Sequence, residues 1–130
     1  MGQVIGIDLG TTNSCLAALN QQEAMVVPNL EGLPTTPSVV SFTSSGELLI
    51  GHVAQRQALT NPENTVFAIK RLMGRKFSSP EVTEVAAKVP YRLVSAPNGD
   101  VKIQVFDRSI SPQEISALIL GYLKKCAETY

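Results

Sequence analysis

The sequence predicts an α/β chain, and three observations carry that expectation. Three short apolar runs with turn residues between them open the chain, further strand-like runs recur through its middle, and its last twenty residues have the cap and spacing of an amphipathic helix. At 130 residues the chain is one domain by length, and a globule of that size buries about two thirds of its unfolded surface.

Val4, Ile5, Ile7 and Leu9 form a run that is rich in β-branched residues and too short for a buried helix, so it reads as a strand. Gly10, Thr11, Thr12, Asn13 and Ser14 then make a turn, and Cys15 to Leu19 resume the apolar character as the second arm of a hairpin. After a polar turn at Gln21-Gln22-Glu23, Ala24 to Val27 give a third strand stopped by Pro28, completing an antiparallel meander. Asn29 to Pro37, punctuated by Gly32, Pro34 and Pro37, reads as loop. Val39, Val40 and Phe42 pair back on Leu48, Leu49 and Ile50 through the Ser44-Ser45-Gly46 turn.

Val53 to Leu59 reads as a short helix closed by Asn61-Pro62. The next helix is expected from a cap at Asn64 or Thr65 through Met73, with Gly74 ending it. A further one opens at Ser78-Ser79-Pro80-Glu81 and stops at Pro90. Tyr91 to Val94 and Val101 to Val105 are strands joined through Asn98-Gly99, a strong hairpin pair. Ser111, Pro112 and Glu114 supply the cap, the first helical position and the capping box of the last helix. Ile115, Leu118, Ile119, Tyr122, Leu123 and Cys126 follow at offsets 0, 3, 4, 7, 8 and 11, giving one apolar face, with Gln113, Ser116, Lys124, Lys125 and Glu128 opposite.

Composition narrows the function. Eleven basic residues against eleven acidic ones leave a formal net charge of zero, which gives no electrostatic case for nucleic acid or an anionic membrane. No stretch reaches the roughly 18 apolar residues of a membrane span, and no charged segment followed by an apolar signal core opens the chain, so it reads as cytoplasmic. Cys15 and Cys126 lie far apart, without Cys-x-x-Cys spacing or a nearby histidine, and read as reduced packing residues rather than metal ligands.

The first turn carries the candidate chemistry. A glycine there lets consecutive amide N–H groups converge on an anion, and the Thr11 and Thr12 hydroxyls add donors, so the bend suits phosphate. Asp8 at its mouth would repel a phosphate unless a divalent cation such as Mg²⁺ lay between them. An Asp and two Thr satisfying a tight turn by bonds to backbone explain the same spacing equally well. Lys70 and Arg71 likewise have two readings: cations at the negative end of a short helix, or an ammonium turned toward the bend to stabilise a transferring phosphoryl group.

Ile5 to Cys15 resembles the first phosphate loop of the heat-shock protein 70 chaperones, the DnaK type in particular. Gly32 to Phe42 is similar to that family's following loop and strand, and Asn61 to Arg75 to the segment that ends in its catalytic lysine. Leu33 and His52 stand where many relatives have polar or charged residues.

The resemblance implies an actin-like (ribonuclease H-like) ATPase fold, with residues 1–38 and 110–130 as part of a first-lobe subdomain and 39–109 as an inserted α+β subdomain. It implies that Lys70 contacts the γ-phosphate and attacking water and that Thr11 adds a hydroxyl there. Asp8 holds magnesium through water, Gly10, Thr11, Thr12 and Asn13 wrap the β- and γ-phosphates, and Arg71 braces the site. ATP or ADP with Mg²⁺ is then the cofactor. Unfolded polypeptides are the clients, and a J-domain co-chaperone and a nucleotide exchange factor the partners. A sugar or polyol kinase of the same superfamily, or a non-catalytic interaction module built on the inserted subdomain, are the alternatives.

The family's nucleotide-binding domain is longer than this chain, so the sequence reads as an N-terminal piece of an ATPase that is inactive by itself, with its first strand unpaired on one edge and open to self-association. Half a phosphate clamp offsets little of the entropy of binding. Adenine nucleotides should bind the 130-residue chain only in the millimolar range or undetectably in calorimetry, and micromolar affinity would contradict this.

Overall fold

The computed structural model describes residues 4–130. The opening meander forms as the apolar pattern requires: β1 (Ile5–Leu9), β2 (Asn13–Asn20) and β3 (Glu23–Val26) pair antiparallel in sequence order. A fourth strand, β4 (Thr35–Pro37), lies where a loop is expected and pairs with the first residues of β2, Asn13 opposite Pro37 and Cys15 opposite Thr35. It follows β3 along the same edge of β2. The loop between them is folded by Asn29, whose Oδ1 accepts from the Glu31 and Leu33 amides while its Nδ2 donates to the Thr35 carbonyl and Thr36 Oγ1. Pro37 is tolerated because its missing N–H falls on a short edge strand.

Two further antiparallel sheets follow. In one, β5 (Val40–Phe42) lies between β6 (Leu48–Ile50) and β7 (Thr65–Val66). In the other, β9 (Val101–Val105) lies between β8 (Arg92–Ser95) and β10 (Arg108–Ile110). Two short helices lie among these strands: α1 (His52–Arg56), between β6 and β7 of the first sheet, ends three residues earlier than the sequence expects, and α2 (Pro80–Ala86), between β7 and β8, opens where expected with Ser79 as its cap and ends before Pro90.

The helix expected from Asn64 to Met73 does not form. Pro62–Asn64 is a single 3₁₀ turn, Thr65–Val66 is taken into the sheet by β5, Ala68 adopts a left-handed conformation at φ 59°, and Ile69–Arg71 is a second 3₁₀ turn. Strand pairing and buried contacts outweigh the weak helical preference of this segment. Lys70 and Arg71 therefore do not sit on the last turn of an α-helix, and a helix dipole does not account for their charge.

The last helix, α3 (Pro112–Thr129), forms as expected: the Glu114 amide donates to Ser111 Oγ at 3.1 Å and the Ser111 amide to Glu114 Oε1 at 3.3 Å. Its apolar face is the spine of the core. Ile115, Ile119, Leu123 and Cys126 are buried in one cluster that also holds Leu16 from β2, Val40 from β5, Ile103 from β9 and Leu72. Each of these large side chains contributes about 1.5–3 kcal/mol by leaving water. Ser116, assigned to the solvent face by its polarity, is buried instead and donates its hydroxyl proton toward Met73 Sδ at 3.6 Å. β1 is paired only by β2 among the described residues, and Ile5 and Ile7 stay more than a third exposed.

The β2–β3 connection is a two-residue hairpin loop in which Gln21 and Gln22 take φ values of 50° and 71°. Such a loop favours Asn-Gly because both central residues are left-handed. Gln22→Gly should raise the unfolding free energy by about 0.5–1 kcal/mol in urea titration, relieved left-handed strain exceeding the added chain entropy. A lower midpoint would contradict this.

Candidate functional site

The bend between β1 and β2 is built by its own strands and held by a residue from elsewhere. Leu9 and Ser14 are the last pair of the ladder, leaving Gly10 to Asn13 to turn the chain. Gly10 does not take a positive φ; a glycine is needed there because a Cβ would collide with the Asn13 carbonyl oxygen. Ser38, just past β4, closes over the bend: its amide donates to the Thr12 carbonyl at 2.9 Å and its hydroxyl to the Gly10 carbonyl at 2.8 Å. With that proton committed, the buried Ser14 hydroxyl at 2.8 Å must be the donor to Ser38 Oγ. The signal for this clasp was absent from the sequence, because Ser14 and Ser38 meet only through strand pairing.

Lys70 reaches the bend from the Ile69–Arg71 turn. Tyr91 Oη donates to the Phe67 carbonyl and packs edge-on against the Phe67 ring, with centroids 5.5 Å apart. Ala68 then reverses the backbone with its left-handed angles, a conformation that costs a non-glycine residue about 1 kcal/mol and must be held by its surroundings. Ile69 and Leu72 are buried on either side, which turns Lys70 outward along the edge of β1. Its Nζ donates to the Leu9 carbonyl at 3.2 Å.

The result is a cavity of about 460 Å³ whose polar lining includes Asp8, Gly10, Thr11, Ser38 and Lys70, with an apolar floor of Ile69, Met73 and Ile119. Asp8 and Lys70 share this space without forming an ion pair. Thr12 and Arg71 line a second cavity on the other side of the bend, and Thr11 lines both. Asn13 lines neither and is exposed in the β2–β4 pairing. Of the residues singled out by sequence, Asp8, Gly10, Thr11 and Lys70 thus converge, while Arg71 faces away from that group.

The donor set bears on Mg²⁺ and phosphate. Among the described residues no three acidic, histidine or cysteine side chains gather to cage a metal ion. A single carboxylate beside an ammonium and a hydroxyl fits a magnesium ion that keeps most of its waters and is shared with phosphate oxygens.

This chain is therefore a mixed α/β protein with a glycine-threonine bend and a lysine facing one open cavity. The Hsp70 protein family model matches residues 4–130, and the chain belongs to that family of chaperones. Membership implies the actin-like ATPase fold and, in complete proteins of the family, the use of nucleotide and Mg²⁺. No helix among the described residues is long and apolar enough to cross a membrane.

Burial pushes the Tyr91 hydroxyl well above the ordinary tyrosine value. A folded-state pKa above the unfolded one gives stability that is complete below about pH 10 and is lost as pH rises beyond it. Tyr91→Phe should therefore start about 1 kcal/mol less stable, with the Phe67 carbonyl unpaired, and that deficit should shrink above about pH 10. A deficit unchanged up to about pH 11 in urea unfolding would contradict this.

Proposed function

We propose that this chain is the phosphate-gripping part of an ATP hydrolase of the DnaK type, whose hydrolysis drives binding and release of unfolded polypeptides with the help of a J-domain co-chaperone and a nucleotide exchange factor. On this reading residues 1–38 and 110–130 belong to the first lobe and 39–109 to an inserted subdomain. The observation that carries it is the Lys70 amine at the Leu9 carbonyl, beside Asp8 and Thr11 in one cavity.

The chemistry is phosphoryl transfer to water, in which positioning and charge stabilisation do most of the catalysis. The backbone of Gly10 to Asn13 and the Thr11 and Thr12 hydroxyls bind phosphate oxygens. Asp8 would hold Mg²⁺ through its waters. When bound, that ion neutralises charge on the β- and γ-phosphates. The Lys70 ammonium can leave the Leu9 carbonyl at small cost, since a typical net hydrogen bond is worth only about 0.5–1.5 kcal/mol, and turn to the terminal phosphate. There it orients the attacking water and stabilises the developing charge.

In the complete gene product, Lys70→Ala should lower the single-turnover rate of ATP hydrolysis by about 100-fold or more, the usual effect of removing one charge-stabilising donor. Hydrolysis at the unaltered rate would overturn the assignment.

A further inference from the structure

The second cavity, of about 380 Å³, lies across Thr11 from Lys70. Its polar lining is one guanidinium, Arg71, with Thr11, Thr12, Thr65 and Gln55, and Phe67 is part of its apolar wall. No acidic side chain lines it. Arg71 also lacks a carboxylate partner among the described residues, whereas Arg56, Arg75, Lys76 and Lys88 each have one. Thr65 is already committed, giving its proton to the Asn61 carbonyl at 2.7 Å and bonded to Ser41 Oγ at 3.0 Å. The free donors are Arg71, Gln55 and the hydroxyls of Thr11 and Thr12. A fork of guanidinium N–H groups, hydroxyls and an amide against an apolar wall, with no competing carboxylate, is the chemistry of an oxoanion site.

We propose that the Arg71 cavity is a second oxoanion site, distinct from the Lys70 cavity, and that it takes inorganic phosphate. Its Arg71 and Gln55 donors stand independently of any reaction at Lys70, while the Thr11 and Thr12 hydroxyls are shared with the nucleotide. Its role does rest on the reading above: phosphate freed at Lys70 passes Thr11, the residue common to both cavities, and rests on Arg71 before leaving. No bond is made or broken in that step. The arrangement separates the product from the site of hydrolysis while the rest of the nucleotide is still held.

The test is titration of the isotope-labelled 130-residue chain with inorganic phosphate at constant ionic strength, followed by NMR. The Arg71 Nε–H and the Thr12 and Ala68 amides report on the second cavity, and the Asp8 and Leu9 amides on the first. Both sets should shift and saturate. Arg71→Gln should raise the Kd of the first-named set by at least about tenfold, equal to about 1.4 kcal/mol, and leave the Asp8 and Leu9 response in place. Arg71→Lys, which keeps the charge without the fork, should fall between. Lys70→Ala should do the reverse of Arg71→Gln. A response at Asp8 and Leu9 with none at Arg71 overturns the second site and leaves the Lys70 reading intact. A response at Arg71 alone keeps the second site. Shifts reproduced by chloride, or a Kd unchanged in Arg71→Gln, overturn the inference.

Discussion

The candidate site depends on packing that brings together groups 61 positions apart in the chain, the Lys70 amine and the Leu9 carbonyl. The bond between them is exposed and worth about 0.5–1.5 kcal/mol at most, far too little to place the lysine by itself. Lys70 is where it is because its neighbours Ile69 and Leu72 are buried and because Tyr91 fixes the carbonyl just before the left-handed Ala68. Packing sets the position, and the polar contact only records it. This is a favourable arrangement for a group that must exchange one oxygen for another, since little is lost when it lets go.

The opposite holds for the bend itself. Ser38 closes it with two hydrogen bonds, and the buried Ser14 hydroxyl holds Ser38 in turn. Buried bonds of this kind are costly to break because the partner left behind is stranded away from water. The result is a bend closed by its own hydrogen bonds and facing an exposed cation. Both halves rest on α3, which packs against β1, β2, β5, β6, β9 and the Ile69–Arg71 turn and so ties all three sheets to one core.

Some of this was legible in the chain and some was not. The meander, the β5–β6 and β8–β9 hairpins and the capping box of α3 follow from residues close together in sequence, and all were found where periodicity put them. The segment from Asn64 to Met73 misled because Val66, Ile69 and Leu72 are spaced like one face of a helix. They are buried without forming one: β5 draws Val66 into a sheet, while Ile69 opens a single 3₁₀ turn and Leu72 follows it. Ser116 misled in another way, as a hydroxyl small enough to enter the apolar side of a helix once Met73 offered it a sulfur acceptor.

Taken alone, the sequence determined the local chemistry: which residues turn, which alternate, where α3 begins, and that a glycine-threonine bend and a lysine of the family's kind are present. These depend on backbone sterics and on neighbours within a few positions. Only the tertiary structure decided that Lys70 and Arg71, adjacent in the chain, serve different cavities on either side of Thr11. Consecutive residues of a 3₁₀ turn point about a third of a turn apart, and which directions those are is set by the core to which the turn is anchored.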